Sequence, residues 1–250
     1  MTKHIPNFVT LLNLFSGCVA AIFAVQGHLI WAAYFVFLGI VFDFLDGLLA
    51  RFLDARSDLG LELDSLADVV TSGVVPGLIM YQLLALSLNV SNEVIDAGHW
   101  SHEDSMPFSW QNYLPFLGLI IPLASAYRLA KFNLDSEQQH YFKGLPTPAN
   151  ALLIMSLPLI LEFQNNDLIN SQILNPIVLI ILTLASAFLL NAPIKLLALK
   201  FKSFDVASNM NRYLFLILSI VLLLVFKFAA IPLIILLYCL ISLGMPKQFQ

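Results

Sequence analysis

What most constrains this chain is a succession of apolar runs, each about as long as a membrane crossing. Runs with few or no charges cover Phe8–Val25, Leu29–Phe52, Ala67–Leu88, Tyr113–Phe132, Pro148–Phe163, Leu174–Leu190, Tyr213–Phe228 and Ala230–Leu243. A hydrocarbon core of about 30 Å takes roughly 17–25 helical residues to cross, and only helices or closed barrels satisfy their backbone within it. The runs therefore predict an all-α protein, a polytopic membrane helix bundle of about eight transmembrane helices. Ile231-Pro232 is the softest boundary; if it does not separate the last two runs, seven remain. Composition agrees, with 59% hydrophobic and only 11% charged residues in 250, where soluble domains carry about 25% charged. Such a chain is neither disordered, nor a disulfide scaffold, nor a basic nucleic-acid binder. Cys18 and Cys239 fall inside apolar runs without a CxxC neighbour and read as packing residues.

Lys3 followed by an apolar run has the look of a signal peptide, but Pro6, Asn7, Thr10 and Asn13 interrupt it, and it is expected to persist as the first span. With the N-terminus cytoplasmic, Lys3, Arg51, Arg56, Arg128, Lys131, Lys143, Lys195, Lys200, Lys202, Arg212 and Lys247 all fall on or near the inner side, leaving only Lys227 outside. That bias follows the positive-inside rule and sets the expected orientation. The chain reads as one integral membrane domain over 1–250, without internal repeats, in which 6–148 carries the chemistry and 149–250 adds further spans. A polar outer loop, about Asn89–Asn112, holds His99, His102, Glu103 and Asp104. No wider ligand spacing supports a metal there, and a solvated loop is the expectation.

Chemistry concentrates where the second run ends and the third begins. Asp43, Asp46 and Arg51 close span two; Asp64 and Asp68 open span three, after a short loop expected to hold Arg56, Asp58 and Gly60. An ionised aspartate is costly in the membrane, about 2.5–3.5 kcal/mol at its centre on insertion scales, so four of them call for compensation. Asp43 and Asp46 are i,i+3, and Asp64 and Asp68 are i,i+4, so each pair shares a helix face. Antiparallel neighbours bring the pairs to one depth, a site for hard divalent cations such as Mg²⁺ or Mn²⁺. Gly47 and Ala50, on the face of Asp43, leave room for a ligand, and Arg51 suits a phosphate oxygen.

The string Asp43-x2-Asp46-Gly47-x2-Ala50-Arg51-x8-Gly60-x3-Asp64-x3-Asp68 resembles the signature of the CDP-alcohol phosphotransferase family at each fixed position. The resemblance implies a polytopic membrane enzyme, commonly a homodimer, that moves a phosphate-containing group from a CDP-linked donor to an alcohol and releases CMP. It further implies that Asp43, Asp46, Asp64 and Asp68 ligate two divalent cations, Mg²⁺ or Mn²⁺, and that Asp68 is also the catalytic base. Asn7, Thr10, Gly47, Ala50, Arg51 and Gly60 then fall on the nucleotide and pyrophosphate. A metal-bound carboxylate is a weak base, so Asp68 suits the task only by taking the proton as attack proceeds.

Three stretches resemble the serine-accepting members of that family, the membrane-bound phosphatidylserine synthases. They are Pro6-Asn7-x2-Thr10-x2-Asn13 with Leu14-Phe15-Ser16-Gly17; Asp64-Ser65-Leu66-Ala67-Asp68 leading to Ser72-Gly73-x2-Pro76; and Tyr127-Arg128-Leu129-Ala130-Lys131-Phe132-Asn133 with Phe142-Lys143-Gly144-Leu145-Pro146-Thr147-Pro148. Arg128 and Lys131 lie one turn apart, and Lys143 opens a connection in which prolines hold the chain extended and Gly144 permits an unusual backbone angle. Asn13, Arg128, Lys131, Asn133, Lys143, Gly144, Pro146 and Thr147 are therefore the candidates for binding the acceptor or the lipid phosphate. Topology alone also explains the cations, though not Asn133 or the Gly-Leu-Pro-Thr-Pro string. Two departures from the family pattern are Lys131, where arginine is frequent, and Thr71-Ser72-Gly73, where many relatives place phenylalanine between serine and glycine.

The expected substrates are CDP-diacylglycerol and L-serine, with CMP as product, membrane lipids around the chain and no nucleic-acid partner. The expected setting is a prokaryotic cytoplasmic membrane with the site facing the cytoplasm. A sister enzyme accepting glycerol 3-phosphate or an inositol-type alcohol is the near alternative, disfavoured by Asn13 and the Gly-Leu-Pro-Thr-Pro loop. A divalent-cation transporter is the remote one, since its site belongs near the midplane, open to both sides. Beyond Pro148, Asn150, Glu162, Asn191, Asp205 and Asn209–Arg212 read as interface and loop residues, and Lys195, Lys200 and Lys202 as topology signals or lipid-headgroup contacts.

Overall fold

The structure, a computed structural model, describes residues 4–90, 110–134, 142–164, 166–196 and 206–244. His99, His102, Glu103 and Asp104, and likewise Lys3, Lys200, Lys202, Asp205 and Lys247, lie outside these residues. Among the described residues eight helices follow one another. They are α1 (Ile5–Val25), α2 (Leu29–Phe52), α3 (Asp58–Ser87), α4 (Trp110–Leu134), α5 (Thr147–Phe163), α6 (Asp167–Ile173 and Pro176–Asn191, bent by 60°), α7 (Val206–Phe226) and α8 (Ala230–Gly244). Among the described residues the only strands are a two-residue antiparallel pair, β1 (Phe142–Lys143) and β2 (Lys195–Leu196), in the register Phe142↔Leu196 and Lys143↔Lys195.

Among the described residues five helical stretches are long and apolar enough to cross a membrane, or six if α6 counts as one span; α5 is a shorter apolar helix. One of the five, Tyr213–Ser242, takes in both α7 and α8. It doubles back: the rings of Phe215 and Tyr238 lie 5.8 Å apart between centroids, whereas 23 residues of straight helix would separate them by about 34 Å. Lys227, at φ +49°, makes the reversal. The side chain of Gln164 clasps it, donating to the Phe226 carbonyl at 2.8 Å and accepting from the Ala229 N–H at 2.9 Å. Each of the eight predicted runs thus has its own helix, including the pair divided near Ile231-Pro232.

The start of α3 departs furthest from expectation. Asp58 and Gly60 belong to α3, not to the loop, which is confined to 53–57. Ser57 caps the helix, its hydroxyl accepting from the Gly60 N–H at 3.0 Å, and Asp58 occupies the first turn. These devices start a helix well before its residues become apolar enough to register as a span.

Small residues set how closely the first three helices approach. A Cβ on Gly39 would lie 2.6 Å from Thr71 Cγ2 and 2.9 Å from Asn13 Oδ1, and one on Gly17 would strike Thr71 Oγ1. Such contacts suit membrane helices, where close backbone approach drives association. Behind them Ala20, Ala24, Val36, Val75, Ile79, Leu83 and Ile154 form a buried core.

Candidate active site

The loop between α2 and α3 places the last turns of α2 beside the first turns of α3. Asp43, Asp64 and Asp68 each offer a carboxylate oxygen within 4.8 Å of the others. Asp46, one turn beyond Asp43, is not part of that group; it is buried, 5% exposed, beside the hydroxyl of Thr10. An i,i+3 step shares a helix face but climbs about 4.5 Å along the axis, so Asp46 and Asp64 instead face a common cleft. Asp46 Oδ2 and Asp64 Oδ1 are buried without a hydrogen-bond partner among the described residues. Clustered carboxylates with orphaned buried oxygens fit hard divalent cations, which take oxygen ligands.

The cleft, of about 400 Å³, takes in Asn7 and Thr10 from α1, Asp46, Gly47 and Ala50 from α2, Arg56 and Ser57 from the loop, and Gly60 and Asp64 from α3. Five of the six residues predicted for the nucleotide and pyrophosphate therefore share one cavity. The sixth, Arg51, is exposed and turned along its own helix, where Nε–H donates to the Gly47 carbonyl at 2.9 Å. Among the described residues, Arg56 is the cation that lines the cleft. It was legible only as a topology signal, although its place between the two acidic pairs was the clue.

The predicted acceptor residues divide among different tasks. Asn13 is fully buried and donates from Nδ2 to Asp68 Oδ1 at 3.3 Å, so it holds this carboxylate in place. Asn133 donates to Ser65 Oγ at 2.9 Å, tying α4 to α3. Arg128, 7% exposed, and exposed Lys131 line a small recess of about 50 Å³ with Asn191, and the charges of Arg128 and Asp68 act on one another. Asn191, expected at an interface or in a loop, donates from Nδ2 to the Ala124 carbonyl at 2.9 Å. Asn150, expected likewise, is fully buried and bonded to Ser186.

Lys143 lies in β1, and the string after it is a docked connection. Gly144 adopts φ +75°, its N–H donating to the Ile194 carbonyl at 2.9 Å, while Leu145 N–H donates to the Leu189 carbonyl at 2.8 Å. A Cβ at Gly144 would strike the Leu190 carbonyl oxygen, so both φ and close approach demand glycine. Pro146 and buried Thr147 then start α5. Gly144, Leu145, Pro146 and Thr147 do not line the larger cleft.

A family model described as CDP-alcohol phosphatidyltransferase matches residues 3–242. The chain is 30% identical to the CDP-diacylglycerol–serine O-phosphatidyltransferase of Bacillus subtilis, over 77% of this chain and 89% of that protein. It is 31% identical to the protein of the same name from Methanocaldococcus jannaschii, over 72% of this chain and 69% of that one. The Saccharomyces cerevisiae protein of that name is also 31% identical, over 62% of this chain and 53% of its own length.

Proposed function

Because this chain belongs to the CDP-alcohol phosphatidyltransferase family, we propose that it transfers a phosphatidyl group from CDP-diacylglycerol to L-serine, yielding phosphatidylserine and CMP. The names of its relatives support the reaction and the acceptor. The observation that carries the reading is the convergence of Asp43, Asp64 and Asp68 beside a cleft walled by Gly47 and Ala50.

Asp43, Asp46, Asp64 and Asp68 would hold two divalent cations, Mg²⁺ or Mn²⁺. Bound there, the pair supplies positive charge against the pyrophosphate and the departing phosphate. Asn7, Thr10, Gly47, Ala50 and Gly60 form the bed for the nucleotide, with Arg56 facing the phosphates and Arg51 within a side chain's swing. Asp68, held by Asn13, takes the proton of the serine hydroxyl. That oxygen bonds to the phosphorus nearest the lipid, the bond from this phosphorus to the CMP oxygen breaks, and CMP leaves with the electron pair. Arg128, Lys131 and Lys143 serve the acceptor or lipid phosphate, while Asn133, Gly144, Pro146 and Thr147 keep the segments that carry them in position.

The apolar helices make this a membrane protein. We place it in a prokaryotic cytoplasmic membrane as a single integral domain and a homodimer, with the N-terminus and the site facing the cytoplasm. The Lys/Arg bias supports that orientation. Donor chains then stay in hydrocarbon while serine and CMP exchange with the cytosol. The test is purified protein in detergent with CDP-diacylglycerol, Mg²⁺ or Mn²⁺ and labelled serine, run beside glycerol 3-phosphate and inositol. CMP release with label entering lipid only from serine, abolished by chelator, is the expected result. Transfer to another alcohol in preference to serine overturns the acceptor assignment.

A further inference from the structure

Directly after Asp68, α3 changes its winding: Val69–Val74 is π-helical, a rare form that recurs at functional sites. The segment buries Thr71, Ser72 and Gly73. Thr71 is accounted for, its hydroxyl donating to the Asn13 carbonyl at 3.2 Å. Ser72 is 1% exposed and its hydroxyl has no hydrogen-bond partner among the described residues. On α4, against the neighbouring Gly73, Ser125 is fully buried and its hydroxyl likewise has no hydrogen-bond partner among the described residues. The helices touch here, since a Cβ on Gly73 would lie 3.1 Å from Ser125 Oγ.

One turn from this contact toward the carboxylate end, α3 presents Asp68 and α4 presents Arg128. The guanidinium is buried, and its Nε has no hydrogen-bond partner among the described residues. Two antiparallel helices therefore set two polar layers, Ser72 with Ser125 inside and Asp68 with Arg128 outside. Buried donors and acceptors are normally satisfied, and each orphan destabilises the fold unless something else completes it. These three groups lie along the α3–α4 contact that also carries Asp68, and a small ligand bearing both an anion and a cation would complete them.

We propose that Ser72, Ser125 and Arg128 form the recess that recognises the amino-acid end of the acceptor. Arg128 Nε–H donates to the acceptor's carboxylate, the Ser72 and Ser125 hydroxyls accept from its ammonium, and its hydroxymethyl group faces Asp68. An acceptor lacking either charge leaves part of the recess unsatisfied, which selects serine over a polyol. The assignment rests on the reading of this chain as a serine phosphatidyltransferase and extends that reading to residues outside the family signature.

The test uses the full chain in detergent with Ser72→Ala, Ser125→Ala and the double variant. Each single change is expected to raise the apparent KM for serine about tenfold, as for a lost hydrogen bond to a charged group, while the KM for CDP-diacylglycerol stays within about twofold of the parent value. Independently of turnover, L-serine should raise the thermal midpoint of the cation-loaded parent and fail to raise that of the double variant, which also separates lost binding from lost folding. Serine turnover by the parent with unchanged serine KM in the double variant overturns the recess alone. Equal rises in both KM values also overturn it. A parent that transfers to glycerol 3-phosphate or inositol and not to serine overturns the acceptor reading, and the recess with it.

Discussion

Two helical stretches of 30 residues show how differently this chain uses apolar sequence. Of the most apolar window in Asp58–Ser87, 61% is buried inside the protein; of that in Tyr213–Ser242, only 6% is. The less buried stretch is the more hydrophobic, with a mean hydropathy of 2.9 against 1.8. In water that order would be reversed. In a bilayer, leucine gains nothing by leaving lipid for protein, and helices associate where small residues allow close approach and polar residues find partners. α3 has Thr71, Ser72, Gly73 and Gly77, whereas the α7–α8 hairpin is chiefly leucine, isoleucine, valine and phenylalanine. The site lies where helices meet, and this chain leaves most of the hairpin's apolar window uncovered.

The largest effect should come from the carboxylate end of α3. Asp68→Asn keeps the shape but removes the base, and turnover should fall by about 10²–10⁴-fold. Binding of CDP, followed by thermal shift with Mg²⁺ or Mn²⁺ present, should survive in part. Turnover at the parent rate in this variant would remove Asp68 as the base and reduce α3 to a scaffold. Next comes the buried middle of the same helix. Leu83 is fully buried in the core, and Leu83→Ala should cost about 2–5 kcal/mol through lost contacts and a cavity. Denaturation in mixed micelles measures it; a cost below that range would mean the interior of α3 is loosely packed.

Asn13→Ala tests the contact between α1 and the site. It removes the donor to Asp68, a hydrogen bond to a charged group worth about 1.5–3 kcal/mol. The expectation is a kcat lowered roughly tenfold or more, with the KM for CDP-diacylglycerol unchanged, because Asn13 does not line the cleft. A shift confined to that KM would move Asn13 to the donor side.

Much of this arrangement was legible because hydrophobic length and acidic spacing are both local signals. The eight runs foreshadow the helices, and the i,i+3 and i,i+4 aspartate pairs foreshadow the clustering of Asp43, Asp64 and Asp68. What escaped depends on contacts distant in sequence, or on caps that hydropathy does not register. The polar first turns of α3, from Asp58 to Asp64, hide from a hydropathy window although Ser57 caps them. The pairing of β1 with β2 joins segments some fifty residues apart, and no periodicity announces a two-residue ladder. Arg56 and Arg51 exchange expected places because an arginine on a helix flank can satisfy itself on its own turn, as Arg51 does on Gly47. Asn150 and Asn191 looked peripheral from their place late in the chain, yet both bond between helices in the interior.

The smallest effect should fall on the hairpin. Leu224, 78% exposed in the protein, faces what the bilayer supplies, so Leu224→Ala exchanges side-chain contact with lipid for a smaller contact with lipid. No protein cavity forms, and surface substitutions of this kind change stability by about 0.5 kcal/mol or less. Set beside Leu83→Ala in the same assay, it offers one residue type, one substitution and two surroundings. A large cost at Leu224 would mean that protein covers this surface, and the proposed homodimer supplies an occupant. Cross-linking through a cysteine placed at 224 would then show whether that cover is a second copy of the chain.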